Sequence, residues 1–93
     1  IEITATGTVT VPAVTTGILR SVFDIYSTTA AVVHFDPASA DKVFLNGVLQ
    51  AAGEKISCDA VAGNSVTLIV TDFGSGVYGY RAIGTVGVWV NGG

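Results

Sequence analysis

The sequence predicts an all-β fold, either a single antiparallel β-sandwich of immunoglobulin-like kind or a small β-barrel of about seven strands. Three observations carry that reading. Apolar and polar residues alternate with period two over most of the chain, as in strands with one buried face. Turn signals separate the alternating runs at short, regular spacing. No stretch shows the period of a helix, and ASADK (residues 38–42) has room for one helical turn at most. At 93 residues the chain makes one domain, residues 1–93, with one core.

In IEITATGTVTV, residues Ile1, Ile3, Ala5, Gly7, Val9 and Val11 share one face, and Glu2, Thr4, Thr6, Thr8 and Thr10 share the other. Half-buried strands rich in β-branched residues read this way. Pro12 removes a ladder donor, and PAVTTG reads as a connection. ILRSVFDIYS and TAAVVHF are the next strands, and Asp36-Pro37 opens a loop. VFLNGVLQ then sets Asn46-Gly47 inside an apolar run. Both residues accept positive φ, so the pair predicts a two-residue type I′ turn. The flanking residues 43–45 and 48–50 become the arms of a hairpin. KISCDAV and SVTLIVT follow, joined through Ala62-Gly63-Asn64, and DFGSG is another turn. The tail VYGYRAIGTVGVWVNGG is strand-like, with Gly79, Gly84 and Gly87 marking expected bulges or bends.

Hydrophobic residues make up 49% of the chain and charged residues only 12%, against about 25% charged in an ordinary soluble domain. So few charges leave Thr, Ser, Gly, Ala and Val to cover the surface, which protects it poorly against association. That suits a subunit whose sides are covered by neighbours. A secreted domain with a hydrated, Thr-rich exterior shares the composition. The net charge of -3 and a pI near 4.6, with Arg20, Lys42, Lys55 and Arg81 dispersed, argue against a nucleic-acid partner. No apolar run approaches the roughly 20 residues of a membrane span. The chain begins on Ile and lacks Met, so a processed product or an excerpt of a longer chain is expected.

Signals for chemistry are weak. GSGVYG (residues 74–79) matches a dinucleotide-binding pattern, but β-like sequence follows where a helix must open, so a hairpin turn is expected. Asp72-Phe73-Gly74 spells a kinase triplet without its companion motifs. His34 shares a strand face with Asp36, yet no nucleophile or metal-ligand set accompanies the pair, and a structural His is expected. The loop from Asp36 to Asp41 holds two carboxylates, too few to predict calcium. Cys58 alternates onto an apolar face, as a buried inert thiol; an intersubunit disulfide is the other reading. No cofactor, metal or catalytic residue is assigned. Four residues of the tail draw attention: Tyr78, Tyr80, Arg81 and Trp89 are types enriched at protein interfaces and sugar-stacking platforms. For Trp89 the core-anchor reading is favoured, with Val86, Val88 and Val90 facing the opposite side. Thr4, Thr6, Thr8 and Thr10 line a strand able to extend a neighbour's sheet.

Across VFLNGVLQAAGEKISCDAVAGNSVTLIV the sequence resembles phage tail-fibre and related virion β-modules. These carry an apolar pair, Asn-Gly-Val-Leu-Gln, a Gly-containing step, a strand, then Ala-Gly-Asp or Ala-Gly-Asn before a last apolar strand. Asn46-Gly47-Val48-Leu49-Gln50, Gly53 and Ala62-Gly63-Asn64-Ser65-Val66 follow that order, over about a third of the chain. Lys55-Ile56 stand where an aromatic residue is usual. The resemblance implies a non-enzymatic structural protein of a bacteriophage virion: a capsid decoration (cement) protein, or a tail-fibre module. Its expected partners are copies of itself and a capsid or tail protein. The alternative is a carbohydrate- or protein-binding immunoglobulin-like module of an extracellular or cell-surface adhesion protein, with a glycan on Tyr78, Tyr80 and Trp89.

Overall fold

The computed structural model describes residues 1–38 and 40–93. Among these, the strands in chain order are β1 (Glu2–Ile3), β2 (Gly7–Thr10), β3 (Val22–Ser27), β4 (Val33–Asp36), β5 (Lys42–Leu45), β6 (Val48–Leu49), β7 (Ile56–Cys58), β8 (Ser65–Asp72), β9 (Tyr78–Val86) and β10 (Trp89–Asn91). One 3-10 turn, Thr16–Ile18, ends the PAVTTG connection, and β3 starts at Val22, four residues later than the alternation of ILRSVFDIYS predicts. The strands form two mixed sheets, one ordered β1-β3-β8-β9-β5-β6 and the other β10-β7-β4-β2. Each sheet keeps two free edges, so the structure is not a closed barrel, and it has more strands than the seven expected.

Nor is it antiparallel throughout. β1 runs parallel to β3, β2 to β4 and β5 to β9. The first two pairings arise because IEITATGTVTV is not one strand. Residues 4–6 carry the chain from one sheet to the other, so β1 extends the six-stranded sheet and β2 the four-stranded one. Hydrogen bonds hold the crossing: Thr29 Oγ1 donates to Thr4 O (2.8 Å), and Val32 N donates to Thr6 Oγ1 (3.2 Å).

The two sheets face each other across one core. Phe35 of β4 meets Tyr80 of β9 edge-on at 5.0 Å between ring centres, and Phe23 of β3 packs on both. Each such aromatic pair contributes about 0.5–1.5 kcal/mol beyond its buried area. Ile25, Val43, Val66 and Leu68 from the six-stranded sheet and Val33 and Ile56 from the four-stranded sheet complete the centre. Period-two alternation delivers them. β8 reads buried at Val66, Leu68 and Val70 and half-exposed at Ser65, Thr67, Ile69 and Thr71. Cys58 sits in this core as a free thiol, its Sγ against Ala31 O. The PAVTTG connection is pinned to it as well: Val14 N donates to the buried Asp41 carboxylate (2.8 Å), and Tyr80 Oη donates to Pro12 O (3.3 Å).

The Asn-Gly turn forms as the sequence predicts. Asn46 (φ 54°) and Gly47 (φ 80°) both lie in the left-handed region, and β5 pairs with β6 across them. Of the glycines in the tail, Gly84 adjoins a bulge at Ile83, and Gly87 bends the chain from β9 to β10. Gly79 marks no bulge: it lies in regular strand pressed against the Lys42 backbone.

Candidate functional site

The outer faces of the two sheets differ. On the six-stranded sheet the registers Val22↔Ile69, Ile69↔Arg81, Arg81↔Phe44 and Phe44↔Leu49 place five side chains in one row across five strands. Four are apolar. Val22 and Leu49 are 56% and 40% exposed, and Ile69 and Phe44 are half-buried. Ile83 stands out beside the row on its bulge, and Phe73 lies over Phe44 at 6.4 Å between ring centres. On the four-stranded sheet the corresponding row is Thr8, His34, Ser57 and Val90, and the next begins with Thr10 and Asp36. The central row of one face is thus apolar and that of the other largely polar, with Asp24, Thr67, Thr71 and Lys42 flanking the apolar row. The sequence conceals this difference because both faces arise from the same alternation.

The edges carry little protection. β2 has β4 on one side and nothing on the other, and its four residues, Gly-Thr-Val-Thr, hold no charge. Natural edge strands are blunted by short length, Lys, Pro or a bulge, and β2 has only its short length. At the opposite side, edge strands β6 and β10 flank a cleft of about 270 Å³ lined by Leu45, Asn46, Val48, Gln50, Val90 and Asn91. Val48 and Val90 are more than half exposed there. Asn46 Nδ2 donates to Trp89 O (3.0 Å), so the predicted turn also ties the hairpin to β10.

The sequence-predicted interaction residues divide in two. Thr8 and Thr10 are exposed on the β2 edge, whereas Thr4 and Thr6 are exposed in the crossing segment, where Thr4 accepts through its backbone carbonyl and Thr6 through its hydroxyl. Arg81 is exposed at the centre of the apolar row. The aromatic platform is corrected by the structure. Tyr80 and Trp89 are 2% and 3% exposed, and Tyr78 packs half-buried against the same core. Trp89 is held inside because β10 pairs with β7, and its Nε1 donates to Val86 O (3.2 Å). Burial, with Asp41 as a second cause, raises the Tyr80 phenol pKa above 10.0. Tyr80 and Trp89 therefore offer no ring face to a sugar, and only Tyr78 is left partly exposed.

One pairing escaped the sequence reading. β4 and β7 place Ser57 opposite His34, with Oγ 2.5 Å from Nδ1. Ser57 alternates onto the polar face of KISCDAV, but only the strand partner reveals its neighbour. A Ser–His contact is the beginning of nucleophile activation, and a hydrolase adds a group that orients the imidazole and donors for an oxyanion. Asp36 lies further along β4, and its partner in the row is Thr10 of β2. Asp72 closes the DFGSG turn, its Oδ1 accepting from Gly74 N (2.8 Å), as expected of a hairpin. Among the described residues no group of three or more His, Cys, Asp and Glu side chains is placed to hold a metal ion, and no helix is long and apolar enough to cross a membrane. Of the Asp36–Asp41 loop, Ser39 lies outside the described residues. No family model, curated protein or solved structure matches this chain.

Proposed function

We propose that this chain is a non-enzymatic structural protein that works by surface burial and β-edge contacts, most concretely a small component of a phage virion such as a capsid decoration protein. The observation that carries the proposal is the apolar row Val22, Ile69, Phe44 and Leu49 on an uncovered sheet face, interrupted by a single charge. A standard interface takes about 800 Å² from each partner. The molecule exposes 4671 Å², so such a contact would cover about a sixth of it and remain compatible with several neighbours. The uncharged β2 edge offers a second mode, extension of the four-stranded sheet by a neighbour's strand. The resemblance of the NGVLQ to AGNSV stretch to virion β-modules supports the same placement.

In fold terms the proposal takes the two facing sheets as a β-sandwich. Its parallel pairings set its connectivity apart from the antiparallel sheets of immunoglobulin domains. The glycan-binding alternative loses support with the burial of Tyr80 and Trp89. Two measurements test the proposal. Sedimentation velocity over a range of concentrations should show self-association that Val22→Lys and Leu49→Lys weaken, both positions being exposed enough to leave folding intact. Mass spectrometry of intact phage particles should find the chain in many copies. A monomer at every concentration, in a chain absent from particles, defeats the reading.

A further inference from the structure

Arg20 and Arg81 are all the arginines this chain has, and the fold brings both to one place. A cleft of about 470 Å³ is lined by Leu19, Arg20, Ile69, Val70, Thr71, Asp72 and Arg81. Arg81 reaches it from β9, opposite Ile69 of β8. Arg20 reaches it from the connection that precedes β3. Its backbone lies at φ 70°, in the left-handed region that most side chains avoid. The two other non-glycine residues found there, Asn46 and Ser75, each precede a glycine in a tight turn that needs this conformation. Arg20 precedes Ser21 and the entry to a strand, where Gly or Asn would sit at lower cost. The backbone is nevertheless clamped: Arg20 N donates to Val70 O (2.8 Å), and Val70 N donates to Ser21 O (2.9 Å). Arg20 follows the 3-10 turn Thr16–Ile18 and its cap Leu19, where a left-handed residue is common, and Ser21 N donates to Ile18 O (3.1 Å). The clamp fixes where the Arg20 side chain leaves the backbone beside the cleft.

We infer that this cleft binds a carboxylate carried on an apolar body. The two guanidinium groups grip the carboxylate in the forked geometry that suits them, and the half-buried Leu19 and Ile69 receive the apolar part. The apolar lining, not charge, separates this ligand from inorganic phosphate. Leu19 and Ile69 have an apolar body to cover only when the anion carries one, and Asp72 at the rim lowers the pull on any bare anion. The cleft shares Ile69 and Arg81 with the apolar row, so a carboxylate and a second copy of the chain would compete for them. A free organic acid and a Glu side chain within an apolar peptide present the same chemistry, and the test separates them.

The purified chain is titrated with hexanoate, hexanamide, inorganic phosphate and a pair of end-blocked peptides, Leu-Glu-Leu and Leu-Gln-Leu, while backbone amide NMR shifts are followed. Hexanoate is expected to shift Arg20, Ser21, Val70, Thr71 and Arg81 saturably, with hexanamide and phosphate weaker by about tenfold or more. Arg81→Gln and Arg20→Gly should each weaken hexanoate by a similar factor. Arg20→Gly should also melt no lower than the parent, because glycine relieves the backbone, which separates lost binding from lost folding. Tighter binding of the Glu peptide than of hexanoate assigns the site to a protein partner; the reverse assigns it to a free acid, and both uphold the inference. Absent or unsaturable shifts, equal response to hexanamide, phosphate binding tightest, or indifference to both substitutions overturns it.

Discussion

Adding one methyl group at Gly79 should separate β5 from β9. The position is ordinary extended strand, so the effect is steric and involves no forbidden backbone angle. An added Cβ would land on the backbone carbonyl of Lys42, an atom with no side-chain freedom to move away. The parallel pairing there spans Lys42↔Gly79, Val43↔Tyr80 and Phe44↔Arg81. Pushing β5 outward loosens that short ladder, and at about 1 kcal/mol net for each backbone hydrogen bond the cost comes to about 2–3 kcal/mol. Domains of this size hold about 5–15 kcal/mol in all, so the variant should still fold. Gly84→Ala is the control: the same strand, with no atom within 4 Å of the new methyl. Urea unfolding followed through Trp89, the chain's one tryptophan and 3% exposed, reads both variants. The Gly79→Ala midpoint should fall clearly while Gly84→Ala stays within about 0.5 kcal/mol of the parent. Coincident midpoints for the two variants would show that the β5–β9 approach is looser than described.

Three further outcomes are expected. Asn46→Ala removes both a residue that tolerates φ 54° and the hydrogen bond to Trp89 O; the loss should be about 2 kcal/mol by the same unfolding assay. The Tyr80 phenol is neutral in the core with its pKa raised above 10.0, so above that pH the unfolded chain loses a proton that the folded chain keeps. Stability should therefore be intact below about pH 10 and fall as pH rises through the folded pKa, and Tyr80→Phe should flatten that decline in alkaline melts while losing the bond to Pro12 O. Ser57 should resist a fluorophosphonate probe despite its contact with His34; stoichiometric labelling at Ser57, lost in His34→Ala, would contradict the non-enzymatic proposal.

What the sequence disclosed and what it withheld follow from the range of the forces involved. The Asn46-Gly47 turn, the DFGSG turn and the inward set Val66, Leu68 and Val70 depend on local backbone preference and period-two alternation, which neighbours in sequence express. The break at residues 4–6 does not. Thr and Val alternate evenly through IEITATGTVTV, and nothing local says that β1 will pair with β3 while β2 pairs with β4. The buried tyrosine and tryptophan are a harder case, because cores and interfaces favour the same aromatic residues. Only the pairing of β10 with β7 and the closure of β9 over Phe35 decide that Trp89 and Tyr80 turn inward.

The same reasoning locates what remains for function. With Tyr80 and Trp89 committed to the core, the surface features that bear most on binding are the apolar row of the six-stranded sheet, the β2 edge and the two arginines. The arginines stand 61 positions apart in sequence and looked dispersed; the β8–β9 hairpin and the left-handed turn at Arg20 gather them beside Ile69, a member of that row. A charged grip adjoining an apolar strip gives directional contacts to a surface that hydrophobic burial alone would leave indiscriminate. Leu49→Lys, at the far end of the row, should therefore impair association while leaving carboxylate binding unchanged, whereas Arg81→Gln, where the row meets the cleft, should impair carboxylate binding directly. Loss of both properties in Leu49→Lys would mean that the row and the cleft act as a single surface.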